Sequence, residues 1–132
     1  MKKRALLIAS ALLISVLTST LMISCDKDTN SYLHVTVVDE TDKTKTFEGA
    51  EIKVDMNGSA VKREGLTDAN GVFFTSFPAP AVFNVQAIFE IAEQSNSTTK
   101  VYREGKGSAR LKDGDTSYVT VALGTDFKSV PR

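Results

Sequence analysis

Side chains able to do chemistry are sparse in this chain, and each is weighed here by what its neighbours allow. The 132 residues hold one cysteine, Cys25, and one histidine, His34. Zinc takes three or four nitrogen, sulfur or oxygen ligands. A lone imidazole cannot build such a site, and a titrating or ligating histidine needs partners. His34 is therefore read as an outward residue on a strand. No Gly-x-Ser-x-Gly segment occurs to raise a serine nucleophile above a sheet. The turns Asp68-Ala69-Asn70-Gly71 and Asp113-Gly114-Asp115 set oxygens two residues apart, as calcium loops do. Neither continues to the further spaced oxygens and bidentate glutamate of such a loop. Asp and Asn side chains also cap their own turns, and that is the reading adopted. Asp39, Glu40 and Asp42 read as a solvated loop. No acid–base or metal constellation emerges, so the chain is expected to be non-catalytic, with no metal and no cofactor.

Cys25 has a different chemistry, set by what precedes it. Lys2, Lys3 and Arg4 form a basic cluster, and Ala5 to Ser24 carries no charge. A basic start, an apolar stretch and a small residue before a cleavage point form the pattern of a secretory signal. By length the stretch would also suit a spanning helix of about 20 residues. The cysteine at its end decides the reading. Met22-Ile23-Ser24-Cys25 resembles the lipobox of bacterial lipoproteins, although Leu is the usual residue where Met22 stands. The resemblance implies a helical signal peptide over 1–24, cleavage between Ser24 and Cys25, and lipidation of Cys25. Each buried methylene adds about 0.8 kcal/mol and one acyl chain holds only marginally. The two or three chains implied by the resemblance would make the anchor effectively permanent. Residues 25–31 would then be a lipidated tether. Asp26-Lys27-Asp28 resembles the surface-export signal of Bacteroidetes lipoproteins. In enteric bacteria an acidic residue directly after the cysteine favours inner-membrane retention instead. The expected location is the cell envelope, with the outer membrane or cell surface favoured over the inner membrane.

Without residues 1–24 the chain has 108 residues, the size of one domain with its own core. Thirteen basic residues then face 16 acidic ones, a formal charge of −3. That balance, interspersed along the chain, excludes the clustered basic face that nucleic acid requires. With Cys25 acylated no thiol remains, so packing alone must hold the domain.

From Tyr32 onward the hydrophobic pattern has period two. Leu33, Val35 and Val37 alternate with His34 and Thr36, and Ala50, Ile52 and Val54 alternate with charged residues. Asn57-Gly58 supplies a turn. Val61 to Thr67 reads as a charged edge strand. The 68–71 turn, with Asn70 and Gly71 suited to positive φ, leads into a strand from Val72 to Phe77 that Pro78 and Pro80 end. Val82 to Ile91 is the longest alternating run, and Glu93 to Thr98 is a polar loop. Thr99 to Leu111 reads as a strand with a bulge near Gly105 and Gly107. Asp113-Gly114 reads as a hairpin turn, followed by a strand from Tyr118 to Leu123. Residues 124–132 read as a frayed tail. Seven short strands at roughly 8–12-residue spacing predict an all-β, antiparallel Greek-key sandwich over 32–123.

Three segments carry a family resemblance: a first strand ending in Val38-Asp39, then Glu48-Gly49-Ala50-Glu51-Ile52-Lys53-Val54, then Leu66-Thr67-Asp68-Ala69-Asn70-Gly71-Val72-Phe73. Together they resemble the carboxypeptidase regulatory-like, transthyretin-like domains, which are prealbumin-type sandwiches of seven strands. Thr75 departs from that pattern, which usually has an apolar residue after the first core aromatic. The fold has an enzymatic member, 5-hydroxyisourate hydrolase, whose site uses several histidines and arginines and a C-terminal Tyr-Arg-Gly-Ser. This chain has one histidine and ends Ser129-Val130-Pro131-Arg132. Tyr102-Arg103-Glu104-Gly105 echoes the tetrapeptide only internally and without the serine, so the hydrolase reading falls.

The remaining lever is aromatic. Strand alternation turns Val72 and Phe74 away from Phe73 and Phe77, and Tyr118 away from Val119. These three are the candidate ligand contacts, since exposed apolar patches often mark interaction sites. The expected function is a membrane-anchored, non-catalytic interaction or assembly module. A glycan- or peptide-binding lipoprotein is the alternative. The expected partners are the membrane, through the lipid, and an envelope protein or glycan, with no nucleic acid. A flat patch or open edge strand would favour assembly, and an aromatic-lined pocket would favour ligand binding.

Overall fold

The structure is a computed structural model, and it describes residues 29–56 and 59–132. The signal segment, Ser24, Cys25, Asp26-Lys27-Asp28 and the Asn57-Gly58 turn lie outside the described residues. Within them the chain is all-β. Its strands are β1 (Ser31–Asp39), β2 (Glu51–Asp55), β3 (Lys62–Leu66), β4 (Val72–Phe77), β5 (Val82–Glu90), β6 (Thr99–Arg110), β7 (Thr116–Leu123) and β8 (Lys128–Pro131). They form a three-stranded sheet in the order β4-β1-β7 and a five-stranded sheet in the order β3-β2-β5-β6-β8.

The period-two pattern decides which faces meet. Leu33, Val35 and Val37 of β1 are fully buried, as are Ile52 of β2, Ala87 of β5, and Val121 and Leu123 of β7. Phe77 and Phe83 stack at 4.0 Å between ring centroids, tying β4 to β5 across the two layers. Fully burying side chains of this size contributes about 1.5–3 kcal/mol each, so these facing stripes supply the main cohesion of a domain with no described disulfide. Thr67, buried among them, is satisfied: its hydroxyl donates to Phe47 O at 2.5 Å and accepts from Ala50 N at 2.9 Å.

Several local expectations meet a different outcome. The described residues form eight strands, and β1 runs parallel to β7, with Val35 opposite Val119. Parallel neighbours need a long crossover, and strands β2 to β6 provide it. The Asp113-Gly114 turn is not a hairpin, because β6 and β7 belong to different sheets; it carries the chain from one layer to the other. Gly114 adopts φ +70° there. In the 68–71 turn only Gly71 takes a positive φ, +74°; Asn70 does not. Asp68 Oδ1 accepts from the backbone N–H of Asn70 at 2.9 Å and of Val72 at 3.0 Å.

The expected bulge in β6 is absent. Pairing with β5 is continuous from Val82 opposite Arg110 to Glu90 opposite Tyr102. The glycines serve layer contact instead. A Cβ on Gly105 would stand 2.2 Å from the carbonyl oxygen of Ala122 in β7. The tail also differs from expectation. Lys128–Pro131 forms β8 on the outer side of β6, with Lys128 opposite Tyr102. Lys128 pairs with Glu104, and Arg132 with Glu90.

Candidate functional site

Because alternate residues on a strand share a face, the outward set of the three-stranded sheet follows from its register. His34, on the central strand β1, lies opposite Phe74 of β4 on one side and Tyr118 of β7 on the other. The next row is Val72, Thr36 and Thr120, and the row before it is Ser76, Tyr32 and Thr116. All three candidate contacts therefore stand on one face. Phe74 is 57 % exposed and Tyr118 76 % exposed, whereas Val72 is half-buried.

The rings contact one another across the strands. Tyr32 stacks on Phe74 with centroids 5.9 Å apart and planes 11° from parallel. His34 and Tyr118 meet at 5.0 Å with a 45° tilt. Such ring pairs contribute about 0.5–1.5 kcal/mol beyond area burial, enough to hold the exposed rings as an ordered row. His34 points outward as expected, but its neighbours half-bury it, and its Nδ1 is enclosed without a hydrogen-bond partner. Tyr32 and His34 complete the patch, and the sequence reading did not place them in it. The signal was their even spacing with Thr36, on the face opposite Leu33 and Val35.

The four described concavities are lined by none of Phe74, His34 and Tyr118. One cleft of 480 Å³ lies beside Phe47, Phe89, Phe127 and Arg103. A smaller apolar hollow of 120 Å³ is lined by Phe77, Phe83, Pro78 and Pro80. Neither includes Phe74 or Tyr118.

A second cluster, missed by the sequence reading, is structural. Asp39 is buried rather than solvated, and its Oδ2 accepts from Arg103 Nη1 at 2.9 Å. Two further Arg103 donors reach the chain leaving β7, Nε to Gly124 O at 2.6 Å and Nη2 to Leu123 O at 2.9 Å. Its guanidinium also lies 5.5 Å from the Phe47 ring centroid. Asp39 Oδ1 accepts from the Thr41 hydroxyl at 2.7 Å and from Thr41 N at 2.8 Å. The Thr41 bonds, followed by Arg103, hold the Asp39 carboxyl well below the usual carboxylate range. Through Nε and both terminal nitrogens, Arg103 fastens β6 to β1 and to the end of β7.

The Asp113-Gly114-Asp115 turn is held by backbone bonds, with Gly114 N donating to Asn30 O at 3.1 Å and Asp115 N donating to Lys112 O at 3.2 Å. Asp68 caps its own turn, and among the described residues no three His, Cys, Asp or Glu side chains converge to hold a metal ion. Cys25 and Ser24, the predicted lipidation and cleavage residues, lie outside the described residues. Comparison with protein-family models, curated proteins and solved structures returned no match.

Proposed function

We propose that this chain is a lipid-anchored lipoprotein of the bacterial envelope whose transthyretin-like sandwich acts as a non-catalytic interaction module. In this reading Cys25 carries the lipid, the tether ends before Ser31, which is the buried first residue of β1, and the outer face of β4-β1-β7 meets a protein partner. On this reading strands β1 to β7 correspond to the seven strands of a prealbumin-type Greek key and β8 is an addition; the two-sheet, all-β architecture is consistent with it.

The observation that carries the reading is the row Phe74–His34–Tyr118 across three paired strands, exposed at Phe74 and Tyr118. Small ligands are held in concave sites that cover most of their surface. An aromatic row outside the described concavities suits a second macromolecular surface, where a few aromatic anchors dominate the affinity. Covering the exposed parts of Phe74 and Tyr118 would contribute about 1–2 kcal/mol each. A glycan is the second reading, favoured by the nearly parallel Tyr32 and Phe74 rings, since a sugar can lie on such a ring face.

The test is a photo-crosslinking amino acid placed in the full chain in cells, at Tyr118 or at Lys53 on the opposite, polar face. Adducts to one envelope protein should form from position 118, not from 53, and Phe74→Ala should abolish them. Equal labelling from both positions, or none from either, refutes the protein-partner reading. Binding of the full chain to a glycan array, lost in Phe74→Ala and Tyr118→Ala, would favour the glycan instead.

A further inference from the structure

The sandwich guards its sheet edges unequally. Exposed edges invite pairing with other chains, and proteins blunt them with charge, proline or cover. Edge strand β3 carries Lys62, Arg63 and Glu64. At the other end of that sheet, β8 is short and contains Lys128 and Pro131. The free side of β7 is held against β6, by Ser117 Oγ donating to Arg110 O at 2.8 Å and by Gly124 N donating to Glu104 O at 3.0 Å. Among the described residues two edge strands carry neither a charge nor a proline, β4 and β7, and of these only β4, Val72-Phe73-Phe74-Thr75-Ser76-Phe77, lacks such bonds along its free side.

The register shows which backbone groups that edge presents. Tyr32 N donates to Asp115 O on the β7 side, and Val37 N donates to Gly71 O on the β4 side. Odd-numbered residues of β1 therefore bond to β4. Their partners are Phe73, Thr75 and Phe77, so the N–H and C=O of Val72, Phe74 and Ser76 point away from β1. Val72 is already used, its oxygen by Asp68 N at 2.8 Å and its N–H by Asp68 Oδ1 at 3.0 Å. Pro78, next in the outward series, has no N–H to give. What remains is the outward N–H and C=O of Phe74 and of Ser76.

We infer that β4 is a self-pairing edge through which two copies of this chain form a two-fold dimer. Antiparallel β4 strands satisfy all four of these groups in one register only. Phe74 faces Ser76 of the second copy, Ser76 faces its Phe74, and the axis passes between the two Thr75 residues. Centring on Phe74 would place Ser76 opposite the occupied Val72, and centring on Ser76 would place Phe74 opposite Pro78. The same strand thus provides both halves of a closed, isologous contact, with no like charges opposed. The two Thr75 side chains face each other on the inner side, where threonine pairs are favourable. This gives a use to the polar residue that interrupts an otherwise apolar strand. The product is a continuous six-stranded sheet that carries both aromatic rows on one face. The inference rests on the backbone edge of β4, so it stands or falls separately from the proposed partner of the outer face.

The test is sedimentation velocity of the purified full chain in detergent, with two edge variants. The wild type should sediment as two chains. Ser76→Pro removes an outward N–H without touching the ladder to β1, and Ser76→Lys guards the edge with a charge. Both should halve the mass while retaining the far-ultraviolet dichroism of the wild type. Tyr118→Ala should leave the mass unchanged. In a Cys25→Ser background, Thr75→Cys should oxidise to a disulfide-linked dimer, because non-hydrogen-bonded opposite residues lie about 4.5 Å apart at Cα, within disulfide reach. The exposed control Thr120→Cys should not. A wild-type chain of single mass overturns the inference. So does a doubled mass that survives both Ser76 variants, or cross-linking no greater at position 75 than at 120.

Discussion

Replacing Gly105 by alanine tests how closely the two layers meet. The added Cβ would lie 2.2 Å from Ala122 O, 2.8 Å from Ala122 C and 2.9 Å from Val121 Cγ1. Carbon–oxygen contacts settle at about 3.3–3.6 Å, so β6 and β7 would have to separate by about an ångström. Two of the three obstructing atoms are backbone and cannot swing aside. The strands are also tied nearby, by Arg103 to Leu123 O and Gly124 O. Overpacking of this kind costs about 1–3 kcal/mol. Loss of a strand glycine offsets about 0.5–1 kcal/mol, leaving a net loss of about 1–2 kcal/mol. For a domain of about 100 residues that lowers the midpoint by on the order of 5–10 °C. Gly107 is the matched control. A Cβ there would meet only the Val119 and Val121 side chains, both at 3.4 Å. Gly107→Ala should therefore be neutral or slightly stabilising. The assay is thermal and urea unfolding of the full chain in detergent, followed by far-ultraviolet circular dichroism. Equal stability of the two variants would refute the close approach of β6 to β7.

The remaining predictions concern charge and anchoring. A carboxylate held below its ordinary pKa of 3.8 stabilises the fold above that pH, and the contribution is lost as pH falls toward the depressed folded-state value. The urea midpoint should therefore decline as pH is lowered below about 4, and Asp39→Asn should flatten the decline while lowering the midpoint at neutral pH. An unchanged acid limb in Asp39→Asn would show that other carboxylates govern it. Cys25→Ser should abolish labelling by a radioactive fatty acid and block cleavage before position 25. Normal maturation of that variant would rule out the lipoprotein reading.

How much was legible beforehand depended on whether the information was local. Alternation in β1, β2, β5 and β7 is written in adjacent residues, and the core stripes emerged as expected. Phe74 and Tyr118 were placed outward by the same rule. Partner choice is not local, so neither the parallel β1–β7 pair nor the turn that changes layer could be read from one segment. Gly105 and Gly107 looked like a bulge because a glycine in a strand signals either a bend or a close neighbour. Only the position of β7 distinguishes the two. Strand β8 is exposed at every residue, so it leaves no alternation to detect. The Asp39–Arg103 pair did leave a signal. Asp39 continues the inward series Leu33, Val35, Val37, and Arg103 shares its side of β6 with Gly105, Gly107 and Ala109. Two opposite charges at inward positions predict a buried pair, since an unpaired buried charge is too costly to keep.

The central claim is that the outer face of β4-β1-β7 is occupied where the protein works. The direct measurement is the tyrosine iodination rate at Tyr118, in intact envelopes and in the purified full chain. Tyr118 is 76 % exposed in the isolated chain, and the half-buried Tyr102 on β6 serves as an internal reference. The account predicts that Tyr118 reacts readily in the purified chain and is protected several-fold in the envelope, relative to Tyr102, and that Phe74→Ala restores its reactivity. An equal Tyr118-to-Tyr102 ratio in both settings would contradict it.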